Sequence, residues 1–421
     1  MISDTAGLSL DQAPPISIPA SFFAIVPLAF IAMGSFLLWH GGRLFDTHWA
    51  PQTIAATHIG TLGLLGSAML GALYQMTPVL AGSAIPCIRL AHAVHLFWVL
   101  GCGALVFSLS TLSKLPAEAA FFLLIAAATL FAFPTGWALA RAPARNASAI
   151  GMSLAVAAFA LVTLLGLRMA FAYWTGRFPA DRVSWIFAHA ILALVVWVGG
   201  LLVSVSWQVV PMFYLTGDFP SWARRLLLLS LLVTMLGVPA SLMASSTKWI
   251  ALSALPAGLG VFALHPALTW KMIRNRRRAR ADISLSFWRV GLLISASILP
   301  LSAWAWLTSS SRAILLVGWL VIWGWAGLIV HGMLTRILPF LVWFHRFAPD
   351  AGIKPIPSMR SILPETPTRI GFRLHMASVV AGVLTIMAPY DAIAWIAGTV
   401  LIATGITIAV WIFAVLRRLA D

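Results

Sequence analysis

The chain has 421 residues, of which 61% are hydrophobic and only 9% are charged, and its mean hydropathy is +0.97. A soluble globular domain needs far more charge on its surface, so this composition excludes that class of protein. The 27 Lys and Arg outnumber the 11 Asp and Glu, which gives a net charge of +16. The distribution of the basic residues between loops accounts for this excess.

Apolar runs of about 20 residues or more, the length that crosses about 30 Å of hydrocarbon, follow one another along the chain. They are predicted at 20–40, 53–80, 90–111, 116–140, 148–174, 183–214, 222–246, 248–272, 285–308, 311–343, 368–388 and 390–416. The prediction is an all-α polytopic membrane protein with about 12 transmembrane helices in contact with the lipid bilayer. Residues 20–421 are expected to form a single transmembrane domain, and 1–19, which contain no Lys or Arg, a cytoplasmic N-terminal tail rather than a secretory signal.

Basic residues are unevenly distributed between alternate loops. Loops after even-numbered runs, together with the C-terminus, carry 18 Lys and Arg, whereas the other loops carry six. The positive-inside rule then predicts cytoplasmic N- and C-termini in a bacterial-type inner (cytoplasmic) membrane. The basic run KMIRNRRRARAD at 271–282 is interpreted as a cytoplasmic loop facing anionic lipid, and no nucleic-acid partner is predicted.

Two patterns recur along the chain and indicate an internal repeat. Runs 2, 6 and 10 end in the segments GALYQMTP, SVSWQVVP and GMLTRILP, whose prolines are Pro78, Pro211 and Pro339. Runs 3, 7 and 11 carry a second series with six-residue steps, namely Arg89, His95 and Gly101; Arg225, Leu231 and Gly237; and Arg369, His375 and Ala381. These patterns predict three pseudo-repeated four-helix units, at approximately 20–140, 148–272 and 285–416.

All the acidic residues lie in predicted loops or at the ends of predicted spans. Proton-coupled carriers normally place carboxylates near the middle of the membrane, so this distribution disfavours a proton-driven transporter. The two cysteines, Cys87 and Cys102, form neither a CxxC nor a CxxCH motif, which argues against a disulfide framework and against covalent c-type haem.

Histidines are the main polar groups within the predicted spans. His58 and His189 lie early in runs 2 and 6, 20 and 22 residues before the aligned prolines, and the third repeat has Val317-Gly318-Trp319 at that place. Two neutral imidazoles at one depth could ligate the iron of haem b, or one could ligate haem and the other copper. The alternative is that each imidazole donates a hydrogen bond to a backbone carbonyl of a neighbouring helix.

A second set of histidines lies nearer the predicted cytoplasmic face. His331 is the deepest and is a candidate metal ligand, with His92, His95 and His375 as secondary candidates; hydration at the membrane surface is the alternative for this set. His40, His48 and His265 are expected to be solvated.

Arg168 and Arg182 lie near the predicted outer ends of runs 5 and 6. A guanidinium matches the geometry of a carboxylate, so both are candidates to bind haem propionates. Extension of these long side chains to the membrane surface explains their position equally well.

Three segments resemble subunit I of the haem-copper oxidase and nitric oxide reductase superfamily, and also NnrS-type haem- and copper-containing membrane proteins. They are 58–78, with an early histidine and the ending YQMTP; RVSWIFAH at 182–189; and MLTR at 333–336. The resemblance implies that His58 is the axial ligand of a low-spin haem and that His189 is a metal ligand. It also implies a respiratory or redox partner protein.

The chain departs from that family at the catalytic metal centre. Run 7 contains RRLLLLSLLVTM without a histidine, run 10 lacks an early H-x-H motif, and residues 190–196 are all apolar. We therefore expect an incomplete binuclear centre, no terminal oxidase activity and a role in nitric oxide or respiratory-metal physiology. The alternatives are a small-solute transporter or channel without a cofactor, and a structural accessory subunit of a respiratory complex.

Overall fold

The computed structural model describes residues 12–277, 282–350 and 353–419. Within these ranges the chain forms helices and no β-strand, and twelve of the helices are long and apolar enough to cross a membrane, as predicted. In chain order, α1 to α12 are Ser17–Phe45, Pro51–Ala81, Leu90–Thr111, Lys114–Ala140, Ala147–Thr175, Arg182–Tyr214, Ser221–Met243, Thr247–Arg274, Ile283–Thr308, Ser311–Asp350, Glu365–Met387 and Asp391–Arg417. The protein is thus an all-α polytopic membrane protein.

Two predicted segments fall partly outside the described residues. These are the N-terminal tail 1–19, of which 1–11 are not described, and the basic run 271–282, of which 278–281 are not described. The predicted connection after run 10 is shorter than expected, because α10 continues to Asp350 and a short helix, Met359–Ile362, precedes α11.

Helix starts follow from local sequence, because the first backbone N–H groups of a helix need acceptors that the helix itself cannot supply. The side chains of Asn146, Ser246, Asp282 and Ser310 accept hydrogen bonds from backbone N–H groups in the first turns of α5, α8, α9 and α10. Pro134 and Pro256 lie inside α4 and α8, so they do not end those spans.

The helices of the predicted repeat share a local distortion. The π-helical segments Ile59–Gly66, Leu192–Gly199 and Leu320–Ala326 each begin nineteen residues before the aligned proline. A glycine lies twelve residues before each proline, at Gly66, Gly199 and Gly327. Two other π-helical segments, Gly260–Leu264 and Trp343–Phe347, lie outside this pattern. The threefold repeat stays a prediction, which this recurrence supports.

The chain divides into two compact units. Unit 1 contains Met1–Ile18 and Met69–Arg278, and unit 2 contains Pro19–Ala68 and Ala279–Asp421, so that α2 contributes to both. The single domain predicted over 20–421 and its repeat bounds stay predictions.

Aromatic side chains form the centre of unit 1. Tyr74, Phe131, Phe159 and Trp197 contact one another in sequence, with ring centroids 5.3, 5.4 and 4.9 Å apart. Since these residues belong to α2, α4, α5 and α6, the rings join four helices through edge-to-face and tilted contacts.

Unit 2 is held by a close contact between α1 and α12. A Cβ atom added at Gly34 would lie 2.4 Å from the carbonyl oxygen of Gly398, and one at Gly405 would lie 2.6 Å from that of Pro27. At the end of the contact, the backbone N–H of Gly42 donates to Asp391 Oδ1 at 2.9 Å. Small residues at such an interface let helix backbones approach within the apolar membrane interior.

Replacing Gly34 by Leu is expected to destabilise the protein by about 1–3 kcal/mol, because the side chain would overlap the backbone of α12. Thermal unfolding in detergent, followed by tryptophan fluorescence, measures the change. Gly103→Leu is the matched control, since a Cβ at Gly103 meets nothing within 4 Å. Equal melting temperatures for the two variants would contradict the proposed close contact.

The connection between α1 and α2 is joined to the start of α10 by a histidine. His48 Nδ1 lies 2.8 Å from Ser311 Oγ, and the imidazole ring packs against Trp49. His48 is only partly solvated, and this partial burial lowers the pKa of the imidazole below its ordinary value.

The lowered pKa of His48 predicts the sign of a pH effect. Below about pH 6.5 the unfolded chain binds a proton at this residue more readily than the folded chain, so the free energy of unfolding falls with decreasing pH. His48→Gln is expected to reduce that dependence, measured as melting temperature between pH 8 and pH 5. His92→Gln, at an exposed histidine of α3, should retain it; an unchanged pH profile in His48→Gln would refute the effect.

Candidate functional site

The predicted site residues fall into two groups, one in each unit. Unit 2 contains His58, His331 and His375, and unit 1 contains His92, His95, Arg168, Arg182 and His189.

In unit 2 the structure brings together two histidines that are far apart in sequence. His331 of α10 and His375 of α11 are both fully buried, and their Nδ1 atoms are 3.1 Å apart. His375 Nε2 lies 3.0 Å from the backbone carbonyl oxygen of Trp323. The metal candidate His331 and the secondary candidate His375 therefore form one hydrogen-bonded element.

The carbonyl fixes the direction of every hydrogen bond in this element. Because a carbonyl oxygen only accepts, His375 Nε2 must donate to Trp323, and the neutral His375 ring then has its lone pair on Nδ1. His331 Nδ1 consequently donates to His375. The remaining lone pair is on His331 Nε2, which is buried and has no hydrogen-bond partner among the described residues.

Aromatic rings and a glycine enclose this histidine pair. The ring centroid of Phe287 lies 4.7 Å from that of His331, and the ring centroid of Phe30 lies 4.9 Å from that of His375. A Cβ atom added at Gly371 would lie 3.2 Å from His331 Nε2. A flat macrocycle such as haem does not fit between groups this close together, so the pair does not suit haem ligation.

A second cross-helix bond reinforces the pair. Trp319 Nε1 donates to the carbonyl of Val379 at 3.1 Å, four residues along each helix from the bond between Trp323 and His375. The two bonds run in opposite directions between α10 and α11, so together they fix the register of these antiparallel helices.

Arg336 of α10 has a partner that the sequence did not predict. Its guanidinium forms a partly buried ion pair with Asp282, and its Nε donates to Ser284 Oγ at 3.0 Å. Asp282 also accepts from the backbone N–H of Ser284 at the start of α9. This carboxylate balances the charge in the MLTR segment.

The two histidines of the predicted haem site share one feature. His58 Nδ1 donates to the carbonyl of Ile54 in its own helix at 2.8 Å, and His189 Nδ1 donates to the carbonyl of Val162 in α5 at 3.1 Å. The alternative to metal binding was that each imidazole donates to a backbone carbonyl of a neighbouring helix, and His189 makes such a bond. In each neutral ring the lone pair is then on Nε2, and both side chains are only half-buried.

In unit 1, residues of α5 and α6 shape the surroundings of His189. A Cβ atom added at Gly166 would lie 3.0 Å from Cε1 of the imidazole, so the glycine makes room for the ring. The Arg168 guanidinium lies 5.9 Å from the ring centroid of Trp185, one helical turn before His189, and donates to the carbonyl of Arg177. Arg182 lies at the start of α6, 5.8 Å from the Phe178 ring.

The other candidates of unit 1 lie along α3. His92 is exposed and His95 is half-buried, and both are near the start of the helix. This position agrees with the alternative that they are hydrated at the membrane surface.

The expectation that His265 is solvated is wrong. His265 is fully buried inside α8, which continues to Arg274. Its Nε2 lies 2.7 Å from Ser206 Oγ and 3.2 Å from Thr269 Oγ1, and its ring stacks on Phe219. The His-x-x-x-Thr spacing was the available sequence signal, because residues four apart share a helix face.

Among the described residues there is no group of three or more His, Cys, Asp or Glu side chains that could hold a metal ion. No protein-family model matches the chain, and no curated protein matches it. Its function is therefore inferred from its residues and their geometry.

The hydrogen-bond directions predict unequal effects for the two buried histidines. His375→Phe would remove two hydrogen bonds and leave the buried N–H of His331 without an acceptor, whereas His331→Phe would remove one bond and leave only the Nδ1 lone pair of His375. Because a buried donor without an acceptor costs about 1–3 kcal/mol and the bond to Trp323 is lost as well, His375→Phe should be the less stable variant in thermal unfolding. A greater loss in His331→Phe would show that the bonds run the other way.

Proposed function

We propose that this protein is an integral membrane haem-binding protein in which Nε2 of His58 ligates haem and Nε2 of His189 is a further candidate ligand for haem or copper. In this proposal it is a relative of haem-copper oxidase subunit I and of NnrS-type proteins without a complete binuclear centre. The observation that carries the proposal is that Nδ1 of each ring donates to a backbone carbonyl.

This arrangement is typical of histidines that bind metals. A metal-ligating imidazole usually donates its other N–H to a carbonyl or carboxylate, which fixes the tautomer and the orientation of the ring and raises the basicity of the ligating nitrogen. His58 and His189 have their rings held in this way before any metal binds. The same bond would also satisfy a purely structural histidine, so spectroscopy must distinguish the two roles.

The partial exposure of both rings and the basic residues near His189 also favour haem. His58 and His189 are half-buried, in contrast to the enclosed pair of His331 and His375. His58 directly precedes the π-helical segment Ile59–Gly66, and π-helical segments are frequent at functional sites. Arg168, beside Trp185 one turn before His189, and Arg182 are suitably charged to bind a propionate.

A bound haem would supply an iron that changes oxidation state and binds diatomic gases, which is the basis for the proposed role in nitric oxide or respiratory-metal physiology. The chain itself would orient the imidazoles, bind the propionates and limit access of water. Copper at His189 is the second cofactor candidate if haem uses His58 alone. The proposed setting is a bacterial-type inner membrane, with cytoplasmic termini and a redox partner protein.

The test is the optical spectrum of full-length protein purified from haem-replete cells. We expect a Soret band that is lost in His58→Ala and is lost or shifted in His189→Ala. His92→Ala, which alters an exposed histidine, should keep the spectrum of the unaltered protein. Haem and copper analysis of the same samples gives the stoichiometry for each variant.

Gly166→Ala tests the site without removing a ligand. Its methyl group would displace the His189 ring, so we expect a shifted spectrum with haem still bound. Folded protein without a Soret band would contradict haem binding and favour a cofactor-free transporter or an accessory subunit. A band unaffected by both histidine variants would instead assign the haem to other residues.

A further inference from the structure

The end of α12 carries a groove unrelated to the histidines. A cavity of about 430 Å³ is lined by Val410, Phe413, Ala414, Arg417 and Arg418. The first four of these residues follow the spacing i, i+3, i+4 and i+7, which places them on one helix face. Ala414, the smallest of them, lies in the middle of the row.

The groove is apolar along its length and basic at its end. Val410 and Phe413 are 63% and 69% exposed, and Arg417 and Arg418 are also exposed. Among the described residues, its lining contains no carboxylate. A ligand that matches this pattern has an apolar chain attached to an anionic group.

We propose that this groove binds an anionic phospholipid, with an acyl chain along Val410, Phe413 and Ala414 and the phosphate between Arg417 and Arg418. Guanidinium groups match phosphate oxygens bidentately, and basic residues at the end of a membrane helix attract anionic lipid. Free phosphate would leave the apolar part of the groove uncovered. This proposal does not depend on haem binding.

The experiment compares lipid retention by the full-length protein. The protein is placed in bilayer discs containing equal amounts of phosphatidylglycerol and phosphatidylcholine, and the lipids that stay bound after release are counted by native mass spectrometry. We expect the unaltered protein to retain phosphatidylglycerol in preference to phosphatidylcholine. In Arg417→Gln/Arg418→Gln this preference should fall about fivefold for each arginine removed. Ala414→Leu, which keeps both charges and fills the groove, should reduce retention as well.

The matched control is Arg224→Gln/Arg225→Gln, which removes another adjacent basic pair at the start of α7, on the same predicted side of the membrane. This variant should retain phosphatidylglycerol like the unaltered protein. An equal loss for both arginine pairs would mean that general charge attraction is responsible and would overturn the proposal. Full retention in Ala414→Leu would overturn it also, since the groove would then play no part.

Discussion

The arrangement of α10 and α11 depends on the need to satisfy polar groups where water is absent. His331, His375 and the carbonyl of Trp323 are buried together, and each unmet hydrogen bond would cost about 1–3 kcal/mol. These contacts tie the rotation and register of the two helices to one another. The bond from Trp319 to Val379 also joins α10 to α11, so the packing of these two helices satisfies polar groups at both places.

A π-helical segment of α10 contains the carbonyl group that His375 contacts. Trp323 lies within Leu320–Ala326, where the i→i+5 register changes the place of each carbonyl in the backbone ladder. Gly327 follows that segment, and a Cβ there would lie 2.6 Å from the carbonyl oxygen of Ile322. A side chain at Gly327 would therefore crowd that carbonyl; glycines also occur at the last positions of the other two segments, Gly66 and Gly199.

The buried and the half-buried histidines differ in their hydrogen-bond partners and in their surroundings. His331 and His375 bond to each other inside an aromatic enclosure, and this bond joins α10 to α11. His58 and His189 bond to carbonyls through Nδ1 and remain half-buried, which suits a ligand. The two pairs of histidines all lie in membrane spans. They differ in their hydrogen-bond partners and in the burial of their rings.

The sequence alone determined the class of protein, the twelve spans and the aligned prolines, because apolar length and helix composition are local properties. It also identified His331 and His375 as candidate metal ligands, which stays a prediction, but did not pair them. Their contact, the partner of Arg336 and the burial of His265 depend on residues 44 to 59 positions away. Those facts were decided by the tertiary structure, because helix packing determines which distant groups can satisfy one another in an apolar interior.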